Sequence, residues 1–210
     1  MSKYLLTTLS LFLGFSMLAK GQSISVDKQF ENITNVEINV VFSDVHIEAG
    51  DGNTVHITGS IQAERNVEDY EITTKKQGTT LYLEVEHPRR TKGKVKGHFH
   101  LIMPSMTDVV INSVSGKQVV SGIGQRMVSC NTVSGNITAN KIGSKLSINT
   151  VSGDYSVDGV RGDVKTNSVS GDGRLSNIDG NLKGNSVSGD FTISHLKGTR
   201  EITTLAGNVN

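Results

Sequence analysis

From Asn112 onward the chain repeats itself. Val114-Ser115-Gly116 returns as Val133-Ser134-Gly135, Val151-Ser152-Gly153, Val169-Ser170-Gly171 and Val187-Ser188-Gly189, and a degraded copy, Leu205-Ala206-Gly207, closes the series. The first step is 19 residues and the next four are 18. A fixed period of this length is the mark of a solenoid, in which one coil buries its face only by stacking on its neighbours.

Aligned on their glycines (Gly116, Gly135, Gly153, Gly171, Gly189), the copies resolve into columns. Asn112, Asn131, Asn149, Asn167 and Asn185 stand two places before the Val, followed each time by Ser or Thr. Apolar columns recur at Val120, Ala139, Val157, Leu175 and Ile193, at Ile123, Ile142, Val160, Ile178 and Leu196, and at Val128, Leu146, Val164 and Leu182. The Val of the motif is apolar in every full copy, so it is predicted to point inward between small polar neighbours. Glycines this frequent exclude helix interiors, whereas Val, Ile, Thr and Ser suit a pleated sheet. Identical residues one coil apart would lie about 4.8 Å apart, close enough for stacked Asn amides to form a ladder. The Gly column reads as a bend that needs positive φ or close backbone approach, and Gly143, Gly162, Gly180 and Gly198 mark a second corner.

The recurring Val-Ser-Gly-Asp with its period of 18, preceded by a shorter non-repetitive β region, resembles the bacterial putative-adhesin β-strand-repeat family, a domain of unknown function. The resemblance covers roughly Val36 to Asn210. It implies a β-solenoid, an extracytoplasmic setting and an adhesive role, with no catalytic residues to carry over. The expected fold is all-β, a single-stack β-solenoid resembling a parallel β-helix, with coils of about 18 residues preceded by irregular β coils.

Met1 to Gly21 has the pattern of a secretory signal peptide: Lys3, a largely apolar run from Tyr4 to Leu18, and small residues at Ala19 and Gly21. Thr7, Thr8 and Ser10 interrupt that run, which favours cleavage before Gln22 over a retained membrane anchor. Residues 22–111 form the non-repetitive β region and cap, and 112–210 the repeats. Strands are expected over Val36–Val41, Val45–Glu48, Val55–Gln62, Tyr70–Lys75, Thr80–Glu86 and His98–Met103. Turns are expected at Gly50–Asn53 and Gln77-Gly78. A small separate β-sandwich is the alternative for this half.

Net charge is +1, so nothing drives the chain toward nucleic acid. Trp is absent and aromatics make up 5% of residues, which argues against a sugar-stacking cleft and a base-stacking platform. Five cations fall within eight residues, Arg89, Arg90, Lys92, Lys94 and Lys96. This loop could grip anionic polysaccharide, lipopolysaccharide phosphate or a membrane surface; the plainer reading is a solvated hairpin loop. His98 and His100 share one strand face, and His46 and His56 stand in similar Val-His-Ile settings. A zinc site needs three or four converging ligands, which sequence alone does not supply, so no metal and no cofactor are expected. Asp154, Asp172 and Asp190 form an acidic column, read as corner-turning residues rather than a calcium site. Cys130 is read as a small buried hydrophobe, with an intermolecular disulfide as the alternative.

The function expected is an exported, non-enzymatic, adhesin-like binding or structural module of the bacterial envelope. Its partner would be a cell-surface or matrix polysaccharide, or a protein chain at the solenoid end. The alternatives are an envelope scaffold or stress-sensing partner acting through its end coils, and a polysaccharide-acting β-helix enzyme, for which Asp158 and Asp163 are weak candidates.

Overall fold

The computed structural model describes residues 22–210 apart from Lys92; the predicted signal peptide lies outside the described residues. Strands account for most of the described chain. The non-repetitive half supplies β1 (Gln22–Glu31), β2 (Asn35–Gly50), β3 (Thr54–Ala63), β4 (Glu71–Gln77), β5 (Thr80–Glu86) and β6 (Val95–Pro104), with one short 3-10 turn, Val67–Asp69. The repeats begin with β7 (Asp108–Ser115) and β8 (Gln118–Ser121), then β9 (Met127–Ser134), β10 (Ile137–Ile142), β11 (Lys145–Ser152) and β12 (Tyr155–Arg161). They continue with β13 (Val164–Ser170), β14 (Gly173–Asp179), β15 (Leu182–Ser188), β16 (Phe191–Lys197) and β17 (Arg200–Ala206).

Each coil contributes one strand to each of two facing sheets. The first sheet runs β1-β3-β6-β2-β8-β10-β12-β14-β16 and the second β4-β5-β2-β7-β9-β11-β13-β15-β17. Pairing is parallel throughout the stack and antiparallel only at its beginning, at β1–β3, β3–β6 and β4–β5. β2 belongs to both sheets: Asn35–Phe42 pairs in the second and Ser43–Gly50 in the first. It is therefore a full coil, inserted in space between β5–β6 and β7–β8. β1, which lies outside the strands expected above, edges the first sheet.

The motif Val does not point inward. Val114, Val133, Val151, Val169 and Val187 are 46–48% exposed, and Leu205 is 82% exposed. Their neighbours Ser113, Thr132, Thr150, Ser168 and Ser186 are the buried ones. The cause is alternation counted within one strand. In β11, Leu146 and Ile148 are fully buried, so the next inward place is Thr150, not Val151. The Gly-Asp corner then passes the chain to the other sheet and resets the count. A β-branched Val on the outer face still suits a pleated surface.

The core also contains a column that the repeat alignment passed over: Gln118, Ile137, Tyr155 and Phe191, all buried. Gly173 completes it, and a side chain there would collide with the Tyr155 ring. Tyr155 thus fills the space of two coils, donating to Thr166 Oγ1 at 3.3 Å and meeting Phe191 edge-on at 6.4 Å. In the first sheet the inward places step from Ala139 to Ile142, an odd interval. Lys141 takes up the extra residue in a left-handed conformation (φ 52°), as do Gly159 (75°), Asn177 (54°) and His195 (52°) one coil apart each. The corner glycines answer to close approach: a methyl on Gly153 or Gly171 would overlap the carbonyl of the glycine one coil earlier.

Candidate binding surface

Most repeated polar groups tie one coil to the next. The Nδ2 of Asn112, Asn131, Asn149, Asn167 and Asn185 each donates to the Oδ1 of the Asn one coil before, at 2.7–3.0 Å. The first acceptor is Asn39, so the ladder reaches into the half of the chain that sequence reading left without repeats. The signal was present: Asn39 to Asp44 has the spacing of the later motif, with Val40-Val41-Phe42-Ser43 in place of Ser/Thr-Val-Ser-Gly. The ladder lies on the outer face of the second sheet, half-buried beside the Val column.

The acidic corner column is consumed in the same way. Asp154 Oδ1 accepts the Asp172 backbone N–H at 2.9 Å, Asp172 that of Asp190 at 2.9 Å, and Asp190 that of Asn208 at 2.7 Å. Asp163 accepts both nitrogens of Asn181. Asp158 accepts Ser176 Oγ and Asn177 Nδ2, each at 2.7 Å, and these bonds, that of Asn177 first, hold its carboxyl below the usual aspartate value. Both weak catalytic candidates are thus ladder members. Asp108 is the most heavily bonded carboxylate: burial works to raise its pKa, but the Arg126 backbone and side chain, together with Met127 and Gln125 N–H donors, bring it below the ordinary value. Cys130 is buried without a disulfide, and desolvation pushes its thiol up to about 12.

Two features are not spent on the stack. The segment between β5 and β6 passes from the second sheet to the first at the same kind of corner that the repeats close with Gly-Asp, but with a longer loop. Arg89, Arg90, Lys94 and Lys96 are part of it or adjoin it, and none forms an ion pair among the described residues; Lys92 lies outside them. The loop is anchored at its far end by the Glu64 N–H, which donates to the Lys94 carbonyl at 3.0 Å.

The second feature is where the histidines go. β3, β6, β2 and β8 lie side by side in the first sheet, and register sets Thr58 across from His100 and His100 beside His46, with Ser60 across from His98 and His98 beside Asp44. The His46 and His100 rings stand 5.0 Å apart, His100 Nε2 meets Glu48 Oε1 at 3.0 Å, and His98 Nδ1 meets Asp44 Oδ2 at 3.4 Å. His56 pairs instead with Asp27 at 2.7 Å. Asp44, His46, Ser60, His98 and His100 line an open groove of about 530 Å³, to which Lys117 and Val119 also contribute. Among the described residues no three His, Cys, Asp or Glu side chains converge as metal ligands would.

Two stacked, mostly parallel sheets with one strand of each coil in each sheet define a flattened β-solenoid held by inter-coil ladders. A family model, Toastrack DUF4097, matches residues 33–210, and the chain belongs to that family. None of the curated proteins matches it. Among solved structures, a "putative adhesin" from Bacteroides fragilis NCTC 9343 is similar at 14% identity, covering 90% of this chain and 96% of its own, with a TM-score of 0.55. A "putative cell adhesion protein" from Clostridium sporogenes ATCC 15579 shares 14% identity over 90% and 98%, with a TM-score of 0.45. A "putative lipid binding protein" from Parabacteroides distasonis ATCC 8503 shares 16% over 91% and 97%, with a TM-score of 0.39. At these identities the likeness is one of fold.

Proposed function

We propose that this chain is an exported, non-enzymatic, adhesin-like binding module of the cell envelope, and that its cationic corner loop engages an anionic polymer. The observation that carries the reading is the loop itself. The repeat corners close on a glycine, with ladder bonds spanning coil to coil, whereas this one is extended and carries Arg89, Arg90, Lys94 and Lys96 without ion-pair partners among the described residues. Unpaired surface cations raise the local concentration of polyanions and steer their approach. The "putative adhesin" name of the Bacteroides fragilis structure agrees in kind with the reading. Export rests on the leader pattern at Met1 to Gly21. No helix among the described residues is long and apolar enough to cross a membrane.

The test is the affinity of residues 22–210 for an acidic polysaccharide, with the loop intact and with Arg89, Arg90, Lys94 and Lys96 replaced by Ser. Exposed ion pairs contribute about 0.2–1 kcal/mol each, so four should cost about 1–4 kcal/mol and make binding sensitive to salt. Unchanged, salt-independent binding by the neutralised loop would remove it from the account. A second reading has one observation in its favour: among the described residues β17 pairs on one side only, with β15, and bears Leu205 at 82% exposure. Strand addition by a protein partner at that coil would appear as concentration-dependent dimerisation or co-purification, lost on Thr203→Lys.

A further inference from the structure

The groove on the first sheet adjoins the cationic loop, and β6 joins them: Lys96, His98 and His100 alternate onto the same outer face as the strand leaves the loop. Resting on the polyanion reading above, we propose that the groove seats the hydroxyl-bearing rings of the bound polymer, which makes the ligand an acidic polysaccharide rather than a polyanion of any kind.

Three polar groups in the groove lack a hydrogen-bond partner among the described residues: the Ser60 hydroxyl, the Lys117 ammonium and the Nε2 of His98, whose Nδ1 faces Asp44. Ser60 is on β3 and His98 on its neighbour β6, while Lys117 stands just before β8, across the intervening β2, so sheet register holds all three in place. Asp44 is itself fixed, because its Oδ1 accepts the Lys117 backbone N–H at 2.7 Å. Its Oδ2, 3.4 Å from His98, keeps acceptor capacity. His100, which lines the groove, is held from behind by Glu48, outside the lining, at 3.0 Å. Donors and acceptors are thus interleaved. Bare anions would meet Asp44 unfavourably here, whereas hydroxyls, which both donate and accept, can satisfy either kind of neighbour.

The size and shape agree with this occupant. A volume of about 530 Å³ falls within the range of small-ligand sites. The groove is open, as a polymer requires, and the His46 and His100 rings, 5.0 Å apart, line it where Trp and Tyr would stand in a more aromatic chain. Charge recognition then falls to the loop and ring recognition to the groove. The division explains how a chain with few aromatics could still read a sugar.

Two probes of matched charge separate the parts: oligogalacturonate, whose carboxylates ride on hydroxylated rings, and polyphosphate, which has none. The chain of residues 22–210 is expected to bind oligogalacturonate at least about tenfold more tightly. Ser60→Tyr, which fills the groove, and the double variant His98→Ala with His100→Ala should abolish that preference while leaving polyphosphate binding unchanged. All these side chains face outward, and the melting temperature of each variant checks that the stack is intact. The loop variant should lose affinity for both probes. If the groove variants keep the preference, or the parent chain shows none, the groove is not the ring seat although the loop reading stands. If neither probe binds, both proposals fall.

Discussion

The exchange of Val151 for Thr150 as the inward residue can be tested by a pair of single substitutions. Thr150 is 5% exposed and its Oγ1 is buried with no hydrogen-bond partner, whereas Val151 is 47% exposed. An unsatisfied buried hydroxyl costs about 1–3 kcal/mol, and Val has nearly the shape of Thr. Thr150→Val should therefore stabilise the protein by about 1–2 kcal/mol. For a chain of this size each kcal/mol moves the melting temperature by about 2–4 °C, so a rise of about 2–8 °C is expected. Val151→Thr changes an exposed strand position and should stay within about 0.5 kcal/mol. Differential scanning calorimetry on both variants at one concentration reads the effect. Were the motif Val inward, the signs would differ: Val151→Thr would bury a new hydroxyl and lose about 1–3 kcal/mol, and Thr150→Val would gain nothing. No rise in melting temperature for Thr150→Val, with a clear fall for Val151→Thr, would refute the register.

Asn149 both donates to Asn131 and accepts from Asn167, so Asn149→Ala should cost about 1–3 kcal/mol in thermal or urea unfolding, and Asn185→Ala, which loses a single ladder bond, about half as much. Gly171→Ala should prevent the coils from closing and yield little folded protein, because the methyl meets backbone, whereas Gly78→Ala meets nothing within 4 Å and should cost only the about 1–2 kcal/mol of a left-handed turn residue. The carboxyl of Asp108 has a folded pKa below its ordinary 3.8, so its contribution is fully present above that value and is lost as pH falls through the folded pKa; Asp108→Asn should flatten the acid limb of the stability profile below about pH 4. With its thiol at about 12 and fully buried, Cys130 should resist iodoacetamide in the native protein and react once denatured.

The repeat half announces its fold because glycines, asparagines and three apolar columns recur at one spacing, and only stacked strands use them all. The inward phase of the Val was not legible from the motif alone. A corner resets alternation, and the true phase had to be counted from Leu146 and Ile148. The odd interval from Ala139 to Ile142 was visible and implied the bulge at Lys141, a residue with no glycine to advertise its positive φ. In sequence β2 looks like two strands of an irregular region because Val40 and Ser43 stand where later copies have Ser or Thr and Gly, yet the Asn39 side chain joins the same ladder. The cationic loop was plain in sequence. The groove was not, because His46, Ser60 and His98 meet only when β3 crosses β6 in antiparallel register and β2 enters the stack out of chain order.

Nuclear magnetic resonance titration of residues 22–210 with oligogalacturonate tests the binding surface most directly. Loop and groove acting together predict shifts in the backbone amides of Arg89, Arg90, Lys94 and Lys96 and in the imidazole signals of His46, His98 and His100, with the Asn149 and Val151 amides on the opposite sheet unmoved. Shifts confined to the Asn and Val columns, or none at saturating ligand, would contradict it.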